Sequence, residues 1–274
     1  MNIFSKVAAR VGRVLARYRG YSFFDGLESA VYAFHQSLNN VDFQTDRNGE
    51  RRVLQKLQPY QFKCLFDVGA NVGEFSIEAA GLFPNSTIHA FEIVPSTFET
   101  LIQNIDGLHN VIANPVGLSS DGSKVSINMG DEISTATAFK IDGMKYHDEY
   151  YHQAILCETI KASDYVRANS ISEIDFLKID VEGMDMQVIK GFEKEISLVR
   201  VIQFEYGIFN ISSHDLLADF CHYLEGYGFV VGKIYPRCVR FFDYHFSMEN
   251  FHGSNYLAVK KNETELIKVL SAHD

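Results

Sequence analysis

Leu65-Phe66-Asp67-Val68-Gly69-Ala70-Asn71-Val72-Gly73-Glu74-Phe75-Ser76 decides the fold. An apolar run from Cys64 to Phe66 ends in an acid and crosses two glycines. It then opens into Ser76-Ile77-Glu78-Ala79-Ala80-Gly81-Leu82, a helical pattern. Strand, tight turn and helix make the first βα unit of a Rossmann-like sheet, and such sheets bind ligands at the carboxyl ends of their strands. Glycine belongs in that turn because a Cβ would hold the backbone off the ligand and because tight turns often need φ > 0. A dinucleotide fingerprint requires G-x-G-x-x-G to seat a pyrophosphate on the helix N-terminus. Counted from Gly69, this chain has Asn71 and Glu74 where the second and third glycines belong. An acid in the first helical turn repels phosphate, while Asp67 at the strand tip suits a cationic group. Asp67, Gly69, Asn71 and Gly73 are the candidate ligand-binding residues of this turn.

The α-ammonium and sulfonium of S-adenosylmethionine are such cationic groups. DVGANVGEFS (Asp67–Ser76), HAFEIVPSTFETL (His89–Leu101) and DFLKIDVEGMDMQVIKGFE (Asp175–Glu193) together resemble the FkbM-type family of S-adenosylmethionine-dependent methyltransferases. The resemblance runs in order from Cys64 to Glu205, and K-I-D-x-E-G at Lys178 to Gly183 is its sharpest mark. It implies O-methyl transfer to a sugar, glycan or related natural product. It also implies a Rossmann-like class I methyltransferase fold with a mostly parallel seven-stranded sheet and helices on both faces.

The bulk composition agrees. The chain has 274 residues, enough for one large α/β domain plus an extension. Its net charge of −10 argues against nucleic acid as substrate, which needs a basic groove. The four cysteines, Cys64, Cys157, Cys221 and Cys238, lack paired spacing and read as reduced thiols of a cytoplasmic protein. No apolar run reaches the ~20 residues of a membrane span, and the N-terminus lacks the apolar core of a secretory signal.

Residues 1–57 read as an N-terminal helical extension and residues 58–274 as the catalytic domain. Lys6, Arg10, Arg13, Arg17 and Arg19 occur without an acid, while Phe4, Val7, Val11, Val14 and Tyr18 recur at helical spacing. This basic amphipathic helix packs on the domain, on a second subunit of a homo-oligomer or on an anionic membrane surface, or it serves as a targeting peptide. Beyond Pro59 the spacing predicts strands at Cys64–Val68, Thr87–Glu92, Val111–Val116, Phe176–Asp180, Val199–Tyr206, Phe229–Tyr235 and Asn255–Lys260. Helices are predicted between them at 73–81, 96–105, 184–196 and 214–226, with extra strands at 124–129 and 154–161. Alternating strands and helices argue for a mostly parallel sheet.

Several residues at predicted strand ends could carry chemistry. Glu92, 25 positions after Asp67, stands where Rossmann-like domains place an acid on the ribose hydroxyls; its other reading is a helix-capping acid. Asn114 ends the third strand and can offer a donor and an acceptor to adenine, or simply make the turn before Pro115. Asp180 faces the pocket as candidate base or orienting group for the acceptor hydroxyl. Alternation puts Lys178 on the same side, where it can hold Asp180 ionised. Glu205, at the end of the fifth strand, is the competing base. Glu182 and His252 are candidate substrate contacts.

The histidine-rich run from Tyr146 to His152 lacks metal-ligand spacing, and no metal is expected. The aromatic run Tyr235, Phe241, Phe242, Tyr244, Phe246 and Phe251 is either a sugar-stacking platform or hairpin packing. The family's Leu-Asp-Asp/Glu element is reduced here to Ala162-Ser163-Asp164-Tyr165. A methyltransferase-like protein that binds the cofactor without turnover is the alternative reading. The retained Asp180, Glu182 and Glu205 favour catalysis on a small-molecule or glycan acceptor.

Overall fold

A computed structural model describes residues 3–18, 20–130, 136–139 and 144–273. Arg19 and parts of segment 130–153 lie outside the described residues. The chain forms two compact units, Met1–Val41 and Asp42–Asp274. The first holds two helices, α1 (Ile3–Leu15) and α2 (Asp25–Leu38).

The second unit is built on an eight-stranded sheet. Its strands are β1 (Cys64–Val68), β2 (Thr87–Phe91), β3 (Val111–Asn114), β4 (Ile174–Ile179), β5 (Val199–Tyr206), β6 (Phe229–Ile234), β7 (Val239–Phe241) and β8 (Ser254–Lys260). Their spatial order is β7-β6-β8-β5-β4-β1-β2-β3. β3, β2, β1, β4 and β5 pair in parallel; β8 runs antiparallel to both β5 and β6, and β7 antiparallel to β6. The expected seven-stranded sheet therefore gains a strand. Residues 239–241 follow the short turn after β6 and add a three-residue edge that alternation over so few residues does not announce.

The chain leaves β1 towards β2 and β3, then returns to lay β4 on the opposite side of β1. That reversal opens a crevice between the carboxyl ends of β1 and β4, the binding position of open α/β sheets. Leu65, Phe176, Val201 and Leu257 cover one face of the sheet, and Phe66, Leu177, Ile202 and Ala258 the other, all fully buried. Period-two alternation along each strand puts them there.

The expected domain boundary at residue 58 moves back. The helix Glu50–Leu57 turns Val53, Leu54 and Leu57 onto the sheet face that holds Leu65 and Phe176, and all three are buried. Burial at roughly 1.5–3 kcal/mol per side chain fixes this helix to the second unit, although its Arg51, Arg52 and Lys56 make the segment look like polar lead-in. Two small sheets, Val125–Met129 with Ala136–Thr137 and Gln153–Cys157, and Gly117–Ser119 with Thr159–Lys161, form the insertion after β3. Among the described residues, no helix is long and apolar enough to cross a membrane.

Candidate active site

One side of the crevice is made by the tips of β1 and β2. Asp67 is completely buried, opposite Ala90 of β2 and Lys178 of β4. Ser76 donates to its Oδ2 at 2.7 Å, while its Oδ1 has no partner among the described residues. Burial raises the Asp67 pKa, against the pull of Lys178 and Ser76. A buried acceptor left unmade costs about 1–3 kcal/mol, so this oxygen suits a charged N–H donor such as an α-ammonium.

Gly69 follows at φ +84°, and a Cβ there would lie 1.9 Å from the Asp180 carbonyl oxygen. Only glycine lets the two strand tips close to this distance. Two residues on, Asn71 donates its backbone N–H to Glu92 Oε2 at 2.8 Å, and Val94 donates to Oε1 at 2.8 Å. Glu92 is therefore held rigid at the β2 tip with each oxygen carrying a further lone pair, as bidentate ribose binding requires. Burial raises its pKa against those two amides. Gly73, at φ +94°, caps the helix Glu74–Leu82.

Asn114 does not keep the place expected of an adenine reader. Its Nδ2 donates to the carbonyls of Ala90 and Ile112, both at 3.1 Å, and its Oδ1 accepts from Tyr165 Oη at 3.1 Å. Donor and acceptor are both engaged within the protein. Tyr165 also bonds His89 Nδ1 at 2.8 Å, which makes the reduced Ala162–Tyr165 element a brace beneath β2 and β3. Asp164 pairs with Arg167 and is exposed.

The other side of the crevice is crowded with acid. Lys178, buried at the end of β4, holds Asp180 Oδ2 at 2.7 Å; the Asp180 side chain is 40% exposed, fixed yet reachable. The two do share one side, as alternation requires. Burial alone would lower the Lys178 pKa, but Asp180, Asp67 and Glu50 outweigh it and raise it. Carboxylate oxygens of Asp180, Glu182 and Glu205 lie within 4.8 Å of one another, close enough to share a proton, a ligand hydroxyl or a cation. Burial and then Asp180 push Glu182 up to about 8 and Asp185 up to about 7. Glu205 is also raised well above its ordinary value, by burial and then Glu182. The ion-paired Asp180 is thus set apart from neighbours whose pKa is raised.

Glu182 sits in a left-handed turn at φ +52° before Gly183. The insertion reaches this turn: Thr137 Oγ1 donates to the Glu182 carbonyl at 2.9 Å. His252 lies on the loop before β8. A Cβ on the adjacent Gly253 would stand 2.9 Å from Glu205 Oε1, so this loop borders the acidic cluster.

The remaining sequence candidates divide. His147 is buried against Tyr151 and Phe209, which suits packing better than metal ligation. In the aromatic run, Phe242 and Phe251 pack on the core while Phe246 stays exposed.

Residues that sequence reasoning passed over complete the site. Glu50 accepts from Gln203 Nε2 at 2.6 Å and from Asn255 Nδ2 at 3.0 Å. Asp185 Oδ1 accepts from the Glu205 backbone N–H at 3.1 Å, fixing the β5 tip. Gln203 carried a legible signal: a polar residue inside Val-Ile-Gln-Phe needs a buried partner. Glu50, remote in sequence on a polar helix, carried none.

Strand reversal, a glycine turn without phosphate spacing and acids at successive strand tips define a class I S-adenosylmethionine-dependent methyltransferase fold. The family model described as "Methyltransferase FkbM domain" matches residues 67–231, more than half of the chain, and the chain belongs to that family. It is 29% identical over 147 residues to Methyltransferase 1 of Beauveria bassiana, covering 48% of this chain and 59% of that one. It is 25% identical over 170 residues to the hexuronic acid methyltransferase AglP of Haloferax volcanii, covering 61% and 66%. It is 26% identical over 191 residues to the 31-O-demethyl-FK506 methyltransferase FkbM of Streptomyces tacrolimicus, covering 61% and 72%. The match spans less than two thirds of the length of the first two relatives.

Proposed function

We propose that the protein transfers a methyl group from S-adenosylmethionine to a hydroxyl of an uncharged, polyhydroxylated acceptor such as a sugar or glycan. The observation that carries this reading is the Asp180–Lys178 pair beside Glu182 and Glu205, at the mouth of the crevice that suits the cofactor. The cofactor supplies an electrophilic methyl on a sulfonium and leaves as a neutral thioether. An alkyl hydroxyl needs a proton acceptor as the C–O bond forms. Asp180 is placed to orient that hydroxyl and accept its proton, while Lys178 keeps the carboxylate charged and fixed. Glu182 and Glu205, holding protons, can donate to neighbouring oxygens of the acceptor. Asp67 and Glu92 bind the amino acid and ribose parts of the cofactor, with Gly69, Asn71 and Gly73 shaping the turn between them.

The relatives support the class. One is named for a hexuronic acid and another for 31-O-demethyl-FK506, and the second name specifies an oxygen acceptor. The wall formed by Asp180, Glu182 and Glu205 disfavours a uronate, because the lysine at this cluster is already held by Asp180 and leaves no counter-charge for a second carboxylate there. The test is production of S-adenosylhomocysteine from labelled cofactor with neutral and uronic sugar acceptors side by side. Turnover on neutral acceptors supports the reading. Cofactor binding without product from any acceptor favours the non-catalytic alternative.

A further inference from the structure

The first unit carries an apolar surface that the methyl-transfer site does not use. In α1, Ile3, Val7, Val11 and Val14 are 73%, 58%, 52% and 63% exposed. Their 4-4-3 spacing puts them on one face, and Tyr18 continues the stripe through the turn Ala16–Tyr18. Lys6, Arg10, Arg13 and Arg17 are exposed in a second stripe. At 3.6 residues per turn that stripe lies about a quarter turn from the first. No acid occurs before Asp25. The connection to α2 is aromatic, with Tyr21 64% and Phe23 83% exposed. In α2, Leu27, Val31, Phe34 and Leu38 form another exposed stripe, 47% to 66%. Soluble surfaces rarely present so much contiguous apolar area.

We propose that α1 and the aromatic turn after it dock on an anionic lipid bilayer, lying in the plane of the headgroups. Apolar and basic stripes side by side match a boundary where hydrocarbon meets anionic headgroups; the bases reach outward while the valines enter. Exposed Tyr and Phe suit the same depth. At 13 residues α1 is far too short to span. A second copy is the poorer occupant, because pairing two α1 helices along this face brings the basic stripes together.

The experiment is co-sedimentation of the full chain with phosphatidylcholine vesicles, with and without phosphatidylserine. Binding should require phosphatidylserine and weaken with salt. Each base contributes about fivefold to partitioning, so Arg10→Gln, Arg13→Gln and Arg17→Gln together should lower it by about a hundredfold. Val7→Ser with Val14→Ser should lower it as well, with cofactor binding unchanged as the check on folding. Failure of the unaltered chain to sediment with anionic vesicles overturns the proposal, as does binding indifferent to both sets of changes. A dimer in sedimentation velocity that Val7→Ser with Val14→Ser dissociates, without vesicle binding, also overturns it and assigns the face to a second copy.

Discussion

The two sides of the crevice hold their carboxylates in opposite ways. At the β1 and β2 tips, Asp67 and Glu92 are buried and held by neutral donors, Ser76 and the amides of Asn71 and Val94. At the β4 and β5 tips, Asp180 takes the buried Lys178, and burial raises the pKa of Glu182, Asp185 and Glu205. The first side is short of a cation that a ligand can bring. The second is built around one ion-paired carboxylate among neighbours whose raised pKa favours the protonated form, an arrangement that separates a proton acceptor from hydrogen-bond donors.

The largest effect tests that separation. Asp180→Asn should lower kcat by about 10²–10⁴-fold while cofactor affinity, measured by calorimetry, changes little. Glu205→Gln, a substitution that mimics the protonated state, should cost far less. The reverse ranking would make Glu205 the base. Next in size, Asp67→Asn and Glu92→Gln should each weaken S-adenosylmethionine binding by about tenfold or more, the loss of a charge-assisted bond. Unchanged affinity in either variant would take that residue out of the cofactor site.

A smaller effect reads the retained protons directly. Glu182 binds its proton more tightly folded than unfolded, so its contribution to stability declines as pH rises from the unfolded pKa, about 4.3, towards about 8. The melting temperature without cofactor should fall between pH 5 and pH 8. Glu182→Gln should flatten that slope. A melting temperature that rises over this range would mean the cluster is ionised and compensated in the folded chain.

How much of this was legible in sequence follows from how local each signal is. β1 and β5 match their predicted limits, Cys64–Val68 and Val199–Tyr206, because each is a short, predominantly apolar segment. The Lys178–Asp180 pair follows from period-two alternation alone. Asn114 misled because its fate is set by Tyr165, on a different element 51 positions later. Glu50 was missed for a like reason: its partners Gln203 and Asn255 are brought to it only by the fold. The boundary at residue 58 failed because three buried apolar residues in Glu50–Leu57 are outweighed to the eye by five charged or amide neighbours. Local pattern locates strands and their tips; it does not say which polar groups meet.

The smallest expected effect concerns a metal. Methyl transfer from a sulfonium expels a neutral thioether, so the chemistry makes no demand for a Lewis acid, and a chelator should change turnover by less than about twofold, well below the 10²-fold scale of a lost acid–base group. The carboxylates of Asp180, Glu182 and Glu205 make this worth measuring, because oxygens within 4.8 Å of one another could also gather around one hard cation. The two arrangements differ in what Glu182→Gln does. If the site works through retained protons, the amide preserves a donor and activity survives with or without chelator. If it works through a cation, the amide removes a charged ligand, and activity falls in the variant as it does in the chelated enzyme. Activity abolished by chelation and restored by Mg²⁺ or Mn²⁺ would replace the proton-sharing account of the β4 and β5 tips with a metal-bridged one, leaving the β1 and β2 side as described.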